Sequence, residues 1–167
     1  MTWSGIEEDA LTGQDSGVNL IHLADHDNSV VVRVLSRHAP GVLQGHDWLN
    51  AEVIVASSFA NGRRAFLLFP ENLASWAAAL DTLAGGQDVL WLDDGHTPEF
   101  RVELNNQFAC PAITVEDTPG CGVSVCVPVD VPDGWIDDLR SSLQQVLETW
   151  PSEVEKTGPG VYQWRSR

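Results

Sequence analysis

Along this chain the hydrophobic period switches twice, from two residues to between three and four, and that switch constrains the fold more than any other feature. Four short strand-like runs lead into one amphipathic helical stripe before residue 86, and the same series returns before residue 150. In the first series, residues 18–23 and 29–35 flank the turn cluster 25–28 and read as a hairpin. A loop at 37–47, broken by Pro40, Gly41 and Gly45, leads to a strand at 48–56. Asn61-Gly62 is a strong turn dipeptide, because both residues tolerate positive φ, and a fourth strand follows at 63–69. Pro70 and Glu71 suit a helix start; Leu73, Trp76, Ala77, Leu80 and Leu83 form its apolar stripe, and Gly85-Gly86 stops it.

The second series has strands at 88–92, 99–104 and 112–116, and a fourth carrying Val123, Val125, Val127 and Val129. Its helix follows Gly134 with the stripe Ile136, Leu139, Leu143, Val146, Leu147 and Trp150, and Pro151 ends it. Adding 63 superimposes the helix stripes, whereas Leu20 reaches Val89 by 69 and Val53 reaches Ile113 by 60. The repeat is one of layout, not of residue identity. The expected fold class is α+β: two consecutive ββββα units, mainly antiparallel sheet with two packed helices. A single domain is expected over 17–150, with pseudo-repeats 17–86 and 87–150. Residues 1–16 are expected as a flexible N-terminal tail and 151–167 as a C-terminal tail that docks on the sheet or stays mobile.

Alternation in the second half implies one wet sheet face carrying Arg101, Glu103, Thr114, Glu116 and Ser124. The first half is apolar on both faces and is expected to be buried on both. Arg33 and Glu52 would then sit at a sheet margin or pair with each other.

Asp and Glu total 24 against 9 Lys and Arg, a formal net charge of −15. Such a surface repels phosphate backbones and anionic membranes and attracts basic proteins, so neither nucleic acid nor membrane is an expected partner. No apolar run reaches the ~18 residues of a membrane span. The start, with Glu7, Glu8 and Asp9, lacks the basic and apolar regions of a secretory signal. A cytoplasmic location is the resulting expectation. Three cysteines, Cys110, Cys121 and Cys126, fit reduced, buried structural thiols.

No phosphate-binding glycine loop, CxxC pair or nucleophile elbow is present, so no catalytic residue, cofactor or metal ligand is assigned. His22 and His26 have a zinc-like spacing of four, but in strand and turn rather than on a helix. His38 and His46 bracket the long loop, and His96 lies in a turn. A pocket gathering these histidines with carboxylates would mark a small hydrolase or ligand-binding enzyme, the alternative reading; a structural homo-oligomer subunit is a third. The favoured reading is a non-enzymatic protein-binding domain. Its candidate contacts are Asp47 and Trp48 in the long loop, Asp93 and Asp94 in a turn, and Glu103 and Glu116 on the wet face.

Several segments carry a resemblance. Residues 20–25 (Leu-Ile-His-Leu-Ala-Asp), 29–34, 47–53 (Asp-Trp-Leu-Asn-Ala-Glu-Val), the helix with Trp76-Ala77-Ala78-Ala79-Leu80, and 133–138 resemble an uncharacterised family of small acidic bacterial proteins. That family is distantly similar to the WapI-type immunity proteins, which protect a cell from a contact-dependent nuclease toxin. The resemblance spans about residues 18–150 and implies an inhibitor of a basic toxin. It assigns no catalytic residue.

Overall fold

A computed structural model describes residues 17–166. The tail expected at 1–16 lies outside the described residues. Strands β1 (Val18–Ala24), β2 (Asn28–Arg37), β3 (Leu49–Ser57) and β4 (Asn61–Leu68) form one antiparallel meander in sequence order. Helix α1 (Pro70–Ala84) follows. Strands β5 (Val89–Trp91), β6 (Glu99–Glu103), β7 (Ala112–Glu116) and β8 (Ser124–Pro128) form a second meander of the same order, and α2 (Trp135–Thr149) follows. The fold is therefore α+β with the ββββα series present twice. Among the described residues, no helix is long and apolar enough to cross a membrane.

The repeat extends to the turns. Between β1 and β2, Asp25 Oδ1 accepts the N–H groups of Asp27 and Asn28, both at 2.8 Å. Between β5 and β6, Asp94 Oδ1 accepts those of His96 and Thr97 at 2.8 and 3.0 Å. Asp25 and Asp94 differ by the same 69 residues as Leu20 and Val89. The β3–β4 turn starts at Ser57 and the β7–β8 turn at Asp117, 60 residues apart like Val53 and Ile113. Each begins with a side-chain oxygen that bonds the turn's own N–H groups. Short polar side chains replace missing ladder bonds where the chain reverses, so the turn chemistry keeps the layout although sequence identity does not.

The two units are not independent. Helix α1 lies against β5, the first strand of the second unit, and α2 lies against β1, the first strand of the first. Each helix covers the other unit's apolar surface, so neither unit completes a core alone. The inner faces meet in one cluster: Val30, Val32, Ala51 and Val53 from the first sheet, Phe100, Val102, Ile113 and Val127 from the second. Aromatic rings run through it from helix to sheet, with Trp76–Trp91 centroids at 4.8 Å, Trp91–Phe100 at 5.5 Å and Phe66–Phe100 at 6.5 Å. Asp25 also ties the units together. Its Oδ2 accepts the Asp130 N–H at 2.9 Å, while Asn28 Nδ2 donates to the Pro128 carbonyl at 2.9 Å. These N–H groups of Asp130, Asp27 and Asn28 hold the Asp25 carboxyl below its ordinary pKa. Asp25→Ala is expected to cost about 1–2 kcal/mol in urea denaturation, as charge-assisted bonds are lost. An Asp94→Ala variant, whose turn bridges nothing by side chain, should cost less.

Several expectations need correction. Ala79, not Ala77, joins the buried stripe of α1, and Leu147 of α2 is exposed. The outer face of the first sheet is not fully buried: His22, Arg63 and Ala65 are exposed, Val31 and Ile54 half-buried. Long apolar side chains there shield one another on an open face. Cys121 and Cys126 are exposed and Cys110 is half-buried. Cys121 sits in the β7–β8 turn rather than in the strand, and Cys126 falls on the wet side of β8, so burial fails at both. The 151–167 stretch contains a hairpin, β9 (Val154–Gly158) with β10 (Val161–Trp164).

Candidate functional site

The predicted binding residues fall in two separate places. On the second sheet, strand alternation sends Phe100, Val102, Ile113 and Val115 inward and leaves Glu99, Arg101, Glu103, Thr114 and Glu116 on the outer face. Glu103 and Glu116 therefore share one face, as their spacing implies. Register places Glu99 directly opposite Glu116. Arg101 reaches Glu99 at 3.5 Å. Leu90, also outward, is an exposed apolar side chain beside Arg101.

The β5–β6 turn runs straight into Glu99 and places Asp93 and Asp94 at the end of this face. Asp93 is exposed. Asp94 is occupied by the turn: burial opposes its ionisation, but the N–H of His96 and the hydroxyl and N–H of Thr97 prevail and hold its pKa below the ordinary value. Buried Leu92 enters the turn at φ +60°, a strained conformation for a branched side chain that its packing offsets. Glu99 escapes a reading that stops at turn pairs, yet its even spacing from Arg101 and Glu103 marks it as sharing their face.

Asp47 and Trp48 lie elsewhere, where the long loop meets the C-terminal hairpin. The Asp47 side chain is only 8% exposed. Its carboxylate accepts the N–H groups of Glu153 and Val154 at 3.0 and 2.9 Å, the Ser152 hydroxyl at 2.9 Å and Arg37 Nη1 at 2.8 Å. Burial raises its pKa, but these four donors outweigh that and leave it lowered. Arg37 also donates to the carbonyls of His46 and Pro151. Asp47 thus acts as the clasp that holds β9 and β10 to the loop. Trp48 is half-buried, edge-on to Phe69 at 5.1 Å and stacked with His38 at 6.1 Å. Beside the clasp, Trp48, Tyr162, Lys156, Arg165 and Glu71 line an open groove of about 330 Å³.

His46 completes the clasp. Gly41 N–H donates to its Nδ1 at 2.8 Å, so in the neutral ring Nε2 carries the proton and donates to Glu153 at 2.7 Å. The other histidines are dispersed. His22 lines a shallow cleft with Trp135 and Asp138, His26 pairs with Asp27 at the surface, His38 contacts Asn50, and His96 is exposed. The gathered histidine pocket that would mark the hydrolase reading is not formed by these residues. No group of three or more His, Cys, Asp or Glu among the described residues could hold a metal ion.

No curated protein matches the chain. Residues 18–151 match the model of a family described as a family of unknown function, DUF5959, and the chain belongs to that family.

Proposed function

We propose that this protein is a non-enzymatic binding domain whose outer face on the second sheet receives a basic protein. The observation that carries this reading is the Glu99–Glu116 pair. Like charges directly opposite in an antiparallel register oppose each other, and Arg101 reaches only one of the two. A cation from a partner, placed between them, would relieve that repulsion. Exposed Leu90 adds an apolar contact beside the charges, and Glu103 and Asp93 extend the acidic area. The net charge of −15 steers a cationic partner toward the chain and accelerates encounter. The partner class put forward is a basic toxin neutralised in the cytoplasm, in keeping with the sequence's resemblance to WapI-type immunity proteins. Asp47 and Trp48 lie away from this face, where Asp47 holds the C-terminal hairpin to the long loop.

Co-expression with the product of a neighbouring toxin-like gene, followed by kinetic binding measurements at low and high salt, tests the proposal. A complex is expected whose association slows as salt rises. The Glu99→Gln, Glu116→Gln double variant should fold at least as stably as the parent, gaining about 0.5 kcal/mol from the relieved pair, yet associate about tenfold more slowly. Absence of any salt-sensitive complex, or a double variant that binds like the parent, defeats the reading.

A further inference from the structure

From the end of the molecule where the β3–β4 and β7–β8 turns lie, we infer that this chain pairs with a second copy of itself, each copy inserting Phe59 into a cleft of the other. This inference is independent of the acidic face. Phe59 is 98% exposed. A lone exposed hydrophobic is ordinary, but three further observations set this one apart.

The backbone that carries the ring is held in place. Ser57 Oγ accepts the Phe59 and Ala60 N–H groups at 3.2 and 2.9 Å and donates to the Ala60 carbonyl at 3.1 Å, while Ser57 N–H closes the turn on that same carbonyl at 2.9 Å. A turn fastened this way presents its aromatic with little ordering cost on association.

An apolar cleft opens beside it. Five valines, among them Val55, Val115 and Val123, line most of a cavity of about 240 Å³, room for one phenyl ring, between the inner faces of β3–β4 and β7–β8, with Arg63, Arg64, Asp117 and Cys121 at its polar side. Val55 and Gly62, both in its wall, are the register pair next to the one that closes the Phe59 turn. Val123 at the rim is 56% exposed. Knob and hole thus lie in one patch. A patch holding both is self-complementary, and a two-fold axis satisfies both insertions at once.

The local charge permits approach of a second acidic chain. Arg63 and Arg64 are matched here by Glu52 and Asp117, so the patch is close to neutral in a chain of net −15. Arg63 bonds Glu52, and Arg64 lies 3.3 Å from Asp117 Oδ1 without hydrogen-bond alignment. Here two copies meet with the least repulsion. The same arginines line the open edge of β4 and disfavour edge-to-edge strand pairing, so the contact is knob into cleft rather than continuation of the sheet.

Sedimentation of the full chain over a concentration series provides the test. The parent should form dimers, more tightly as salt screens the global repulsion. Phe59→Ser removes the knob and touches nothing else in the monomer. Gly62→Leu fills the hole; a Cβ at Gly62 meets no atom within 4 Å. Each variant should melt like the parent and dimerise about 100-fold or more weakly, since two apolar insertions are lost per dimer. Their equimolar mixture should regain a heterodimer, because the knob of one then meets the empty hole of the other. A parent that stays monomeric at about 1 mM, or variants that dimerise like the parent, overturns the inference. So does a Phe59→Ser variant that loses a different protein while its own oligomeric state is unchanged, since the patch then serves that partner.

Discussion

Asp47→Ala is expected to release the C-terminal hairpin and to lower folding stability by about 3–5 kcal/mol, the range for removing one partner of a buried charge pair. The carboxylate is the single acceptor common to Ser152, Glu153, Val154 and Arg37. Without it, two backbone N–H groups and an arginine only 13% exposed lose their shared acceptor. The effect has a ceiling: once the loss exceeds the docking free energy of β9–β10, the hairpin leaves and the rest of the domain keeps its stability. Hydrogen exchange separates the two regimes. Amides of Val154–Trp164 should lose protection first, while those of β2 and β3 persist. Unchanged hairpin protection in Asp47→Ala would show that the clasp is not the anchor. The pH dependence follows from the lowered pKa of Asp47. A carboxyl with a depressed folded pKa contributes stability that is complete above its unfolded value and is lost as pH falls through the folded one. Hairpin protection in the parent should therefore hold at neutral pH and fade below the ordinary carboxylate range near pH ~4. In Asp47→Ala that acid dependence should be largely gone.

Glu52→Ala should cost about 2–4 kcal/mol by chemical denaturation. Glu52 is 5% exposed on β3, held by Arg63 Nε and Nη2 at 2.6 and 2.7 Å and flanked by Arg33 at 3.9 Å. The hydrogen bonds from Arg63 are the chief cause of its lowered pKa; burial opposes them and the charges of Arg63 and Arg33 assist. Removing the carboxylate alone leaves two guanidinium groups facing each other across it. Replacing Arg33, Glu52 and Arg63 together with apolar residues should recover most of the loss, because well-packed apolar side chains can stand in for a buried ion pair at little cost. A triple variant as unstable as Glu52→Ala would place the cost in packing instead. Like Asp47, Glu52 stabilises the fold above the ordinary carboxylate range, and its contribution falls away as pH drops through its depressed value.

These two carboxylates mark how far the sequence could be read. Strand alternation leaves Arg33 and Glu52 either at a sheet margin or paired, and the structure makes them register partners. That Arg63, one strand further on, supplies the strong bidentate contact depends on the β3–β4 register and on a diagonal reach across it. Glu103 and Glu116 share a face for the same local reason that makes their strands legible. Asp47 is different. Its donors Glu153 and Val154 are about a hundred positions away, and no local period connects them. A loop aspartate destined for a clasp and one left in solvent have the same appearance in sequence. The cysteines failed for a different reason: the alternation that sends Val125 and Val127 inward already puts Cys126 on the wet face with Ser124, and Cys121 lies in the β7–β8 turn, so local geometry overrides the general preference of a thiol for burial.

The sequence by itself determined strands β1–β8, the two helices, the turns between them and the twofold layout, but not the hairpin β9–β10. Those depend on side-chain periods of 2 and 3.6 and on residues that tolerate a reversal of the chain, and all act over fewer than ten positions. Only the tertiary structure decided that each helix covers the other unit's first strand, that the C-terminal hairpin clasps Asp47, and that Phe59 stands beside an apolar cleft. Each of these joins surfaces from distant parts of the chain. Burial and charge pairing reward such contacts only once the whole core has formed, so no local pattern encodes them.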